Sequence, residues 1–133
     1  MLRYLLDTNT CIAIIKRHKE TAEQFLSKQV AEVAISTITT FELWTGVQKS
    51  ARAEQEKRRV DGLLRLIRVL DFDHAAAREA ARVRADLESQ GQKIGPFDTL
   101  IAGHALTTTL TLVTNNIREF RRIPGLMIED WMR

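Results

Sequence analysis

Acidic and amide side chains interrupt the apolar segments of this sequence at several places. Asp7 ends the run YLL, Glu42 lies inside the apolar pattern TITTFELWTG, and Asp98 closely follows the Gly-Pro pair of GPFDTL. Near the end of the chain, LVTNNIREF places Asn116 after another apolar run and Glu119 one short turn further on. Several oxygen ligands without a pair of thiols are the ligand set of a hard cation such as Mg²⁺ or Mn²⁺. If the fold brings these side chains into one crevice, they predict a divalent-cation site.

Each of these residues also has an ordinary structural explanation. Asp7 and Asp98 precede or open helical patterns, where an aspartate caps the helix or complements its dipole. Glu42 fits the solvent edge of a helix, and asparagines at strand ends often only form turns. Gly46 favours the metal interpretation, because a glycine inside a helix costs roughly 1 kcal/mol relative to alanine and clears space beside Glu42. Gly103 is expected to leave similar space over Asp98.

Short strands and longer helices must position these side chains. Apolar, β-branched runs that end in turn or cap residues predict strands over residues 3–7, 32–36, 68–72 and 110–116. Helical periodicity and capping residues predict helices over residues 8–16, 20–29, 36–50, 51–67, 73–92 and 95–108. Phe41 and Phe97 fall on the apolar stripes of two of these helices and are expected to face the core.

Strands that alternate with helices predict an α/β fold with a short central parallel sheet flanked by helices, because right-handed crossovers cover both faces of such a sheet. Ligands of open parallel sheets bind in the crevice beyond the carboxyl ends of the strands. Asp7 and Asn116 stand at two such ends. The predicted sheet therefore supplies the crevice that the candidate metal ligands require.

Composition limits the class of protein. The chain has 133 residues, of which 44% are hydrophobic and 28% charged, and this predicts one globular domain over residues 1–133. The single cysteine, Cys11, excludes an internal disulfide and is expected to be reduced and buried. Because the sequence has neither an apolar run of membrane-spanning length nor a signal-peptide pattern, a cytoplasmic protein without membrane contact is predicted.

Basic residues gather in clusters that would suit an anionic partner. The formal net charge is +3 at pH 7, which is only mildly basic. Arg58 and Arg59 lie in RAEQEKRR, and Arg121 and Arg122 lie in IREFRR. A solvated helix face explains any one cluster alone. Beside a metal crevice, these four arginines are candidates for holding an anionic partner, such as the backbone of a nucleic acid.

Two other classes of function are compatible with some of these residues. A phosphatase of the haloacid dehalogenase type is suggested by DTNT and LDFDHA, but Asn9 replaces the second aspartate of that motif, and Asp71 and Asp73 suit a strand end and a helix cap. A non-catalytic RNA-binding module would rely on the basic clusters alone. The aromatic content is only 6%, and no aromatic ladder for base stacking is present.

Four segments of the sequence together resemble one known family. LLDTNTCI, TITTFELWTGV, GPFDTLIAGHAL and LVTNNIREFRRIPGL are similar to PIN domains, specifically those of VapC-type ribonuclease toxins of type II toxin–antitoxin systems. The resemblance implies that Asp7, Glu42 and Asp98 take the places of three acidic site residues. Asn116 stands where many members carry a fourth acid. Either Glu119 supplies the missing carboxylate, or Asn116 binds through its amide oxygen or a water.

The same resemblance implies an activity and partners. Thr8, Asn9 and Thr114 would orient the carboxylates. The activity would be Mg²⁺- or Mn²⁺-dependent cleavage of a structured RNA, either tRNA or ribosomal RNA, which inhibits translation. A VapB-type antitoxin would neutralise the toxin, with an Arg or Lys placed among the carboxylates and apolar contacts near Trp44 and Val47. A homodimer, a larger assembly with the antitoxin, and contact with operator DNA only through the antitoxin are also implied.

Overall fold

A five-stranded parallel sheet forms the centre of the computed structural model, which describes residues 1–133. The strands are β1 (Tyr4–Leu6), β2 (Val33–Ser36), β3 (Arg68–Leu70), β4 (Thr111–Val113) and β5 (Ile128–Glu129), in the spatial order β3-β2-β1-β4-β5. β1 occupies the middle and pairs in parallel with β2 and β4. The predicted α/β class and four predicted strands are confirmed. The fifth strand has only two residues and was not predicted.

Seven α-helices flank the sheet. They are α1 (Thr8–Ile15), α2 (Lys19–Leu26), α3 (Thr37–Lys49), α4 (Ala53–Leu64), α5 (His74–Ser89), α6 (Pro96–Thr108) and α7 (Ile117–Phe120), and a 3₁₀ turn spans Val30–Glu32. Local sequence sets most of the boundaries: Ser36 and Asp73 cap α3 and α5 with their side chains. Gly91 follows α5 with a φ of 66°, which is the left-handed conformation that favours glycine. No helix has the length and apolar character needed to cross a membrane.

Helices cover both faces of the sheet, so the strands alternate between two hydrophobic clusters. Tyr4 and Leu6 belong to the cluster on one face, together with the buried and unpaired Cys11. Leu5 belongs to the cluster on the other face, which includes residues of α5 and α6. Burial of one such apolar side chain contributes about 1.5–3 kcal/mol. The packed faces therefore hold the strands in a fixed register and their carboxyl ends in fixed positions.

Two expectations about packing are wrong. Gly103 does not open space over Asp98, because a Cβ at this position would lie 2.6 Å from the Ala80 backbone. The glycine instead permits the close approach of α6 to α5. Phe41 and Phe97 do not face the core: they are 54% and 40% exposed, because the interior sides of α3 and α6 are filled by smaller neighbours on the same helices.

Candidate active site

The carboxyl ends of β1, β2 and β4 lie at one edge of the sheet and lead into the segments that carry the predicted site residues. Asp7 follows β1 directly and is buried. Its backbone N–H donates to the Val113 carbonyl at 3.0 Å, which fixes the end of β1 beside the end of β4. α3, which carries Glu42, begins where β2 ends. The topology therefore assembles in space positions that are more than thirty residues apart in the chain.

Asp7 is both a helix cap and a buried carboxylate of the candidate site. One carboxylate oxygen accepts a hydrogen bond from the Thr10 backbone N–H at 2.8 Å, so Asp7 caps α1. A cap of this kind is ordinarily at the surface, whereas Asp7 is only 3% exposed. Burial raises the pKa of this carboxyl, and the neighbouring Thr114 and Thr10 groups partly offset the rise. The cap alone does not explain why a carboxylate is retained in this buried place.

Asp98 provides the clearest evidence that the carboxylates converge. It lies in the first turn of α6 and is half-buried. Burial raises the pKa of Asp98 from 3.8 to about 6, and the negative charges of Asp7, Glu119 and Glu42 add to the increase. The side chain of Asn116 acts in the opposite direction and stabilises the ionised form. Asp7, Glu42, Glu119 and Asn116 are therefore all near enough to Asp98 to influence its ionisation.

Threonine hydroxyls connect the carboxylates to the framework. The Thr8 hydroxyl on α1 donates a hydrogen bond of 2.6 Å to the Glu42 carboxylate on α3. The Thr114 hydroxyl accepts a hydrogen bond from the Asn116 backbone N–H at 2.9 Å and shapes the turn that leads to α7. Asn9 is exposed on the first turn of α1, beside Thr8. Thr8 and Thr114 are thus in contact with the groups that they were predicted to orient.

Asp130 is a further acidic residue beside the site that the sequence did not reveal. It directly follows β5, whose Glu129 carbonyl accepts a hydrogen bond from the Thr114 backbone N–H at 2.9 Å. Its charge contributes to the raised pKa of Asp7. The available signal was the segment MIED, in which the two acids Glu129 and Asp130 follow a short apolar run. Without the two-residue strand β5, nothing in the sequence linked that segment to the sheet.

The residues present suit a cation that retains water. No three side chains of Asp, Glu, His or Cys are close enough together to form a complete protein cage for a metal. Mg²⁺ is commonly held by only one or two carboxylates, together with waters and the phosphate of a substrate. Asp7, Asp98 and Asn116 offer oxygen atoms of this kind, and a cation would offset the burial and the like-charge repulsion that together raise the pKa of Asp98. The donor set therefore fits Mg²⁺ or Mn²⁺.

The four arginines proposed to contact RNA differ in their surroundings. Arg58 and Arg121 are exposed and take no part in a salt bridge. Arg59 pairs with Glu56 on α4 at 3.1 Å. Arg122 donates to two backbone carbonyls, at 3.4 Å each, in the loop between α5 and α6. Arg58 and Arg121 are therefore the two with charge that is free for a polyanion.

His18 and His104 have structural roles. His104 is buried, and its Nδ1 forms a hydrogen bond of 2.9 Å with the Ser36 hydroxyl. Burial lowers the pKa of this imidazole, so the neutral form is favoured. His18 caps α2. Asp73 accepts a hydrogen bond from the Ala76 backbone N–H at 2.9 Å and caps α5, which removes it as part of a phosphatase motif.

A shallow groove lies next to the carboxylates. Its volume is about 310 Å³, and it runs between α1, α3 and α4. Its lining includes Glu42, Gly46 and apolar side chains, among them Ile12, Ile15 and Val47. A Cβ at Gly46 would meet no atom within 4 Å, so this glycine does leave open space beside Glu42. A larger cavity of about 500 Å³ lies between α5 and α6 and contains none of the carboxylates of the site.

Five parallel strands with carboxylates gathered at their carboxyl ends define a class of protein. The chain belongs to the PIN-domain family, whose family model, described as PIN domain, matches residues 4–126.

Within this family, the chain belongs with the VapC ribonucleases. It is 44% identical over 131 residues to the tRNA(fMet)-specific endonuclease VapC of Salmonella typhimurium, which covers 98% of this chain and 99% of that protein. It is 40% identical over 131 residues to ribonuclease VapC2 of Rickettsia felis, with coverage of 96% and 97%.

Solved structures agree with this placement. A chain of the DNA-bound VapBC from Salmonella typhimurium has a TM-score of 0.93 and 44% identity, over 98% of this chain and 99% of that one. A chain of VapBC2 from Rickettsia felis, bound to a DNA fragment from the promoter, has a TM-score of 0.90 and 39% identity, again over 98% and 99%. The first relative covers nearly every residue of the present chain, so the comparison includes the whole candidate site.

Proposed function

We propose that this protein is an Mg²⁺- or Mn²⁺-dependent endoribonuclease that hydrolyses a phosphodiester bond of tRNA and is neutralised by a VapB-type antitoxin. The observation that carries the proposal is the gathering of Asp7, Glu42 and Glu119 around Asp98, whose pKa is raised to about 6 by burial first and then by these negative charges. Initiator tRNA is the first substrate to test, because a relative with 44% identity is named as specific for it. The protein would inhibit translation in the cytoplasm by removing this RNA.

Asp7, Asp98 and Asn116 would hold the cation. When bound, it would supply positive charge that neutralises the phosphate and favours ionisation of the attacking water. The carboxylate of Glu42, held by Thr8 at 2.6 Å, orients that water and accepts its proton. Glu119 adds a further carboxylate next to Asp98. Arg58 and Arg121 hold the RNA backbone, whose charge the carboxylates alone would repel.

The antitoxin proposal rests on the groove beside Gly46. Its apolar lining suits an apolar segment of a partner, and Glu42 at its edge connects it with the carboxylates. We place the antitoxin along this groove, with an Arg or Lys reaching the crevice where the cation would bind. Val47 lines the groove, whereas Trp44 packs mainly against the hydrophobic core. The solved neighbours are VapBC complexes, which supports a partner of this class.

A homodimer, a larger assembly with the antitoxin and operator binding through the antitoxin complete the proposal. Two of the neighbouring VapBC structures contain DNA, which agrees with an assembly that binds an operator. Size measurement by light scattering, for the chain alone and with its antitoxin, tests the stoichiometry.

One experiment separates this function from its rivals. Purified protein is incubated with total tRNA in Mg²⁺, in Mn²⁺ and in EDTA, and the 5′ ends of the fragments are sequenced. We expect a single main cleavage position that requires metal and is lost in Asp98→Asn. RNA binding without cleavage would favour the non-catalytic module, and hydrolysis of a generic phosphomonoester would favour a phosphatase.

A further inference from the structure

Two phenylalanines that belong to different helices form an exposed aromatic pair. The ring centroids of Phe41 on α3 and Phe97 on α6 are 5.5 Å apart, and the ring planes are inclined by 50°. The two side chains are 54% and 40% exposed. Single exposed apolar residues are common and need no explanation. This pair differs, because the tertiary structure brings it together from positions that are 56 residues apart in sequence (41 to 97).

The pair lies next to the candidate active site. Phe41 immediately precedes Glu42, and Phe97 immediately precedes Asp98. Helices α3 and α6 are in contact, and the two rings meet one residue before each carboxylate. The aromatic pair therefore lies within one residue of two of the carboxylates of the candidate site.

We propose that Phe41 and Phe97 form a stacking platform for one unpaired base of the RNA, next to the phosphate that is cleaved. The inference rests on the proposed ribonuclease function and adds to it the class of substrate, a nucleotide whose base is unstacked from its neighbours. Single-stranded RNA is commonly bound by stacking its bases on aromatic side chains, whatever the base. The platform thus positions a nucleotide and does not read its identity.

The shape of the pair suits a base. Because the rings are inclined and not coplanar, they form an open corner, in which a flat base can lie on one ring and meet the edge of the other. The surface offered by two partly exposed rings is small beside the roughly 800 Å² per partner that a stable protein interface buries. One base covers it well. An RNA base also arrives together with the phosphate that the adjacent carboxylates and cation would engage.

Fluorescence provides the direct test. A single-stranded oligoribonucleotide with 2-aminopurine at one position is titrated with the Asp98→Asn variant, which we expect to bind without cleaving. Stacking on the platform should quench the emission of 2-aminopurine. Replacement of either ring in this background, by Phe41→Leu or Phe97→Leu, should remove most of the quenching and weaken binding roughly tenfold. Phe41→Tyr and Phe97→Tyr should preserve both.

Cleavage kinetics provide the second test, in the active protein. Phe41→Leu and Phe97→Leu should raise KM for tRNA roughly tenfold with a smaller change in kcat. When the nucleotide beside the cleaved bond is made abasic, the wild type and the leucine variants should become equal, because the base that stacks is gone. Leu66→Ala and Met127→Ala serve as matched controls, since these side chains are 55% and 51% exposed. They precede β3 and β5 and so lie at the amino-terminal ends of the strands, away from the carboxyl ends that carry the site. They should leave quenching and KM unchanged.

Three results would overturn the platform. The first is unchanged quenching and KM in both leucine variants, and the second is an equal defect on normal and abasic RNA. The third is a change of sedimentation coefficient in the leucine variants, which would identify the pair as a contact between protein chains. If the wild type itself cleaves no RNA, the proposed function fails. If the wild type cleaves and the leucine variants match it, only the platform fails.

Discussion

The Thr8 hydroxyl donates a hydrogen bond of 2.6 Å to the Glu42 carboxylate and so connects the first turn of α1 with the middle of α3. Hydrogen bonds to charged groups contribute about 1.5–3 kcal/mol. Thr8→Val keeps the shape of the side chain but removes the donor, so Glu42 is free to turn away from the crevice. We expect RNA cleavage to fall at least roughly tenfold, with a melting temperature lowered by no more than the loss of this one hydrogen bond. Thr8→Ser should retain most of the activity. Full activity in Thr8→Val would exclude the hydroxyl from positioning Glu42.

The stability of the metal-free protein should depend on pH through Asp98. Its pKa is raised from 3.8 to about 6 in the folded protein. Between these values the folded state holds a proton that the unfolded state has lost, so the free energy of unfolding falls as pH rises through this window. Above about pH 6, Asp98 is ionised in the folded state, and its destabilising effect on that state is complete.

Asp98→Asn should remove this destabilisation of the folded state. We therefore expect the variant to melt at an equal or higher temperature than the wild type at pH 7.5 in EDTA, and to lose that advantage near pH 4. It should also gain less from Mn²⁺, because the cation stabilises the native state that binds it, and it should not cleave RNA. A helix-dipole role alone would give a less stable variant that remains active. Melting curves with and without Mn²⁺, run beside a cleavage assay, decide between these roles.

A bulky residue at position 46 should separate toxicity from neutralisation. Gly46→Leu places a side chain into open space in the groove beside Glu42, where a Cβ meets no atom within 4 Å. We expect affinity for the antitoxin to fall much more than RNA cleavage, because no carboxylate is replaced although the new side chain lies beside Glu42. Gly62→Leu on α4 is the matched control: it too lies in a helix with open space around it, but outside the groove. Equal antitoxin affinity in both variants, measured by calorimetry, would place the antitoxin elsewhere.

The basic residues should contribute unequally to RNA binding. Arg58 and Arg121 are exposed, whereas Arg59 pairs with Glu56 and Arg122 holds two backbone carbonyls. Arg58→Gln and Arg121→Gln should each weaken binding and reduce the salt slope by about 0.7–0.9 for every phosphate contact that is lost. Arg59→Gln and Arg122→Gln should change both quantities less. Identical slopes in all four variants and the wild type would locate the RNA on another face.

Local signals account for the parts of the fold that the sequence predicted. Ser36 and Asp73 cap α3 and α5, and Gly91 adopts the expected left-handed conformation, because these preferences depend on a few neighbouring residues. β5 escaped prediction because two residues cannot carry a periodic pattern; it is defined by its pairing with β4. Gly103 was misinterpreted for a related reason, since its role depends on Ala80 in another helix.

The candidate site was predicted unevenly for the same reason. Asp7, Glu42 and Asp98 could be singled out because a carboxylate that interrupts an apolar segment is visible in the sequence itself. Asp130 could not, because only the pairing of β5 brings it towards Asp7. The contact between Phe41 and Phe97 is likewise a product of tertiary structure. Helical periodicity placed both rings in the core, because periodicity does not indicate which part of an apolar stripe stays uncovered.

The position of β1 in the middle of the sheet has a consequence for synthesis of the protein. β1 is made first, but its neighbour β4 is Thr111–Val113, and β5 follows only at Ile128–Glu129. Asn116 and Glu119 are likewise encoded near the end of the chain. While the ribosome still encloses this last segment, the sheet lacks two of its five strands and the crevice lacks one wall. The growing chain therefore cannot assemble a complete set of carboxylates until β4 and the residues up to Glu119 have emerged, so the site forms late while β1 waits for its neighbour.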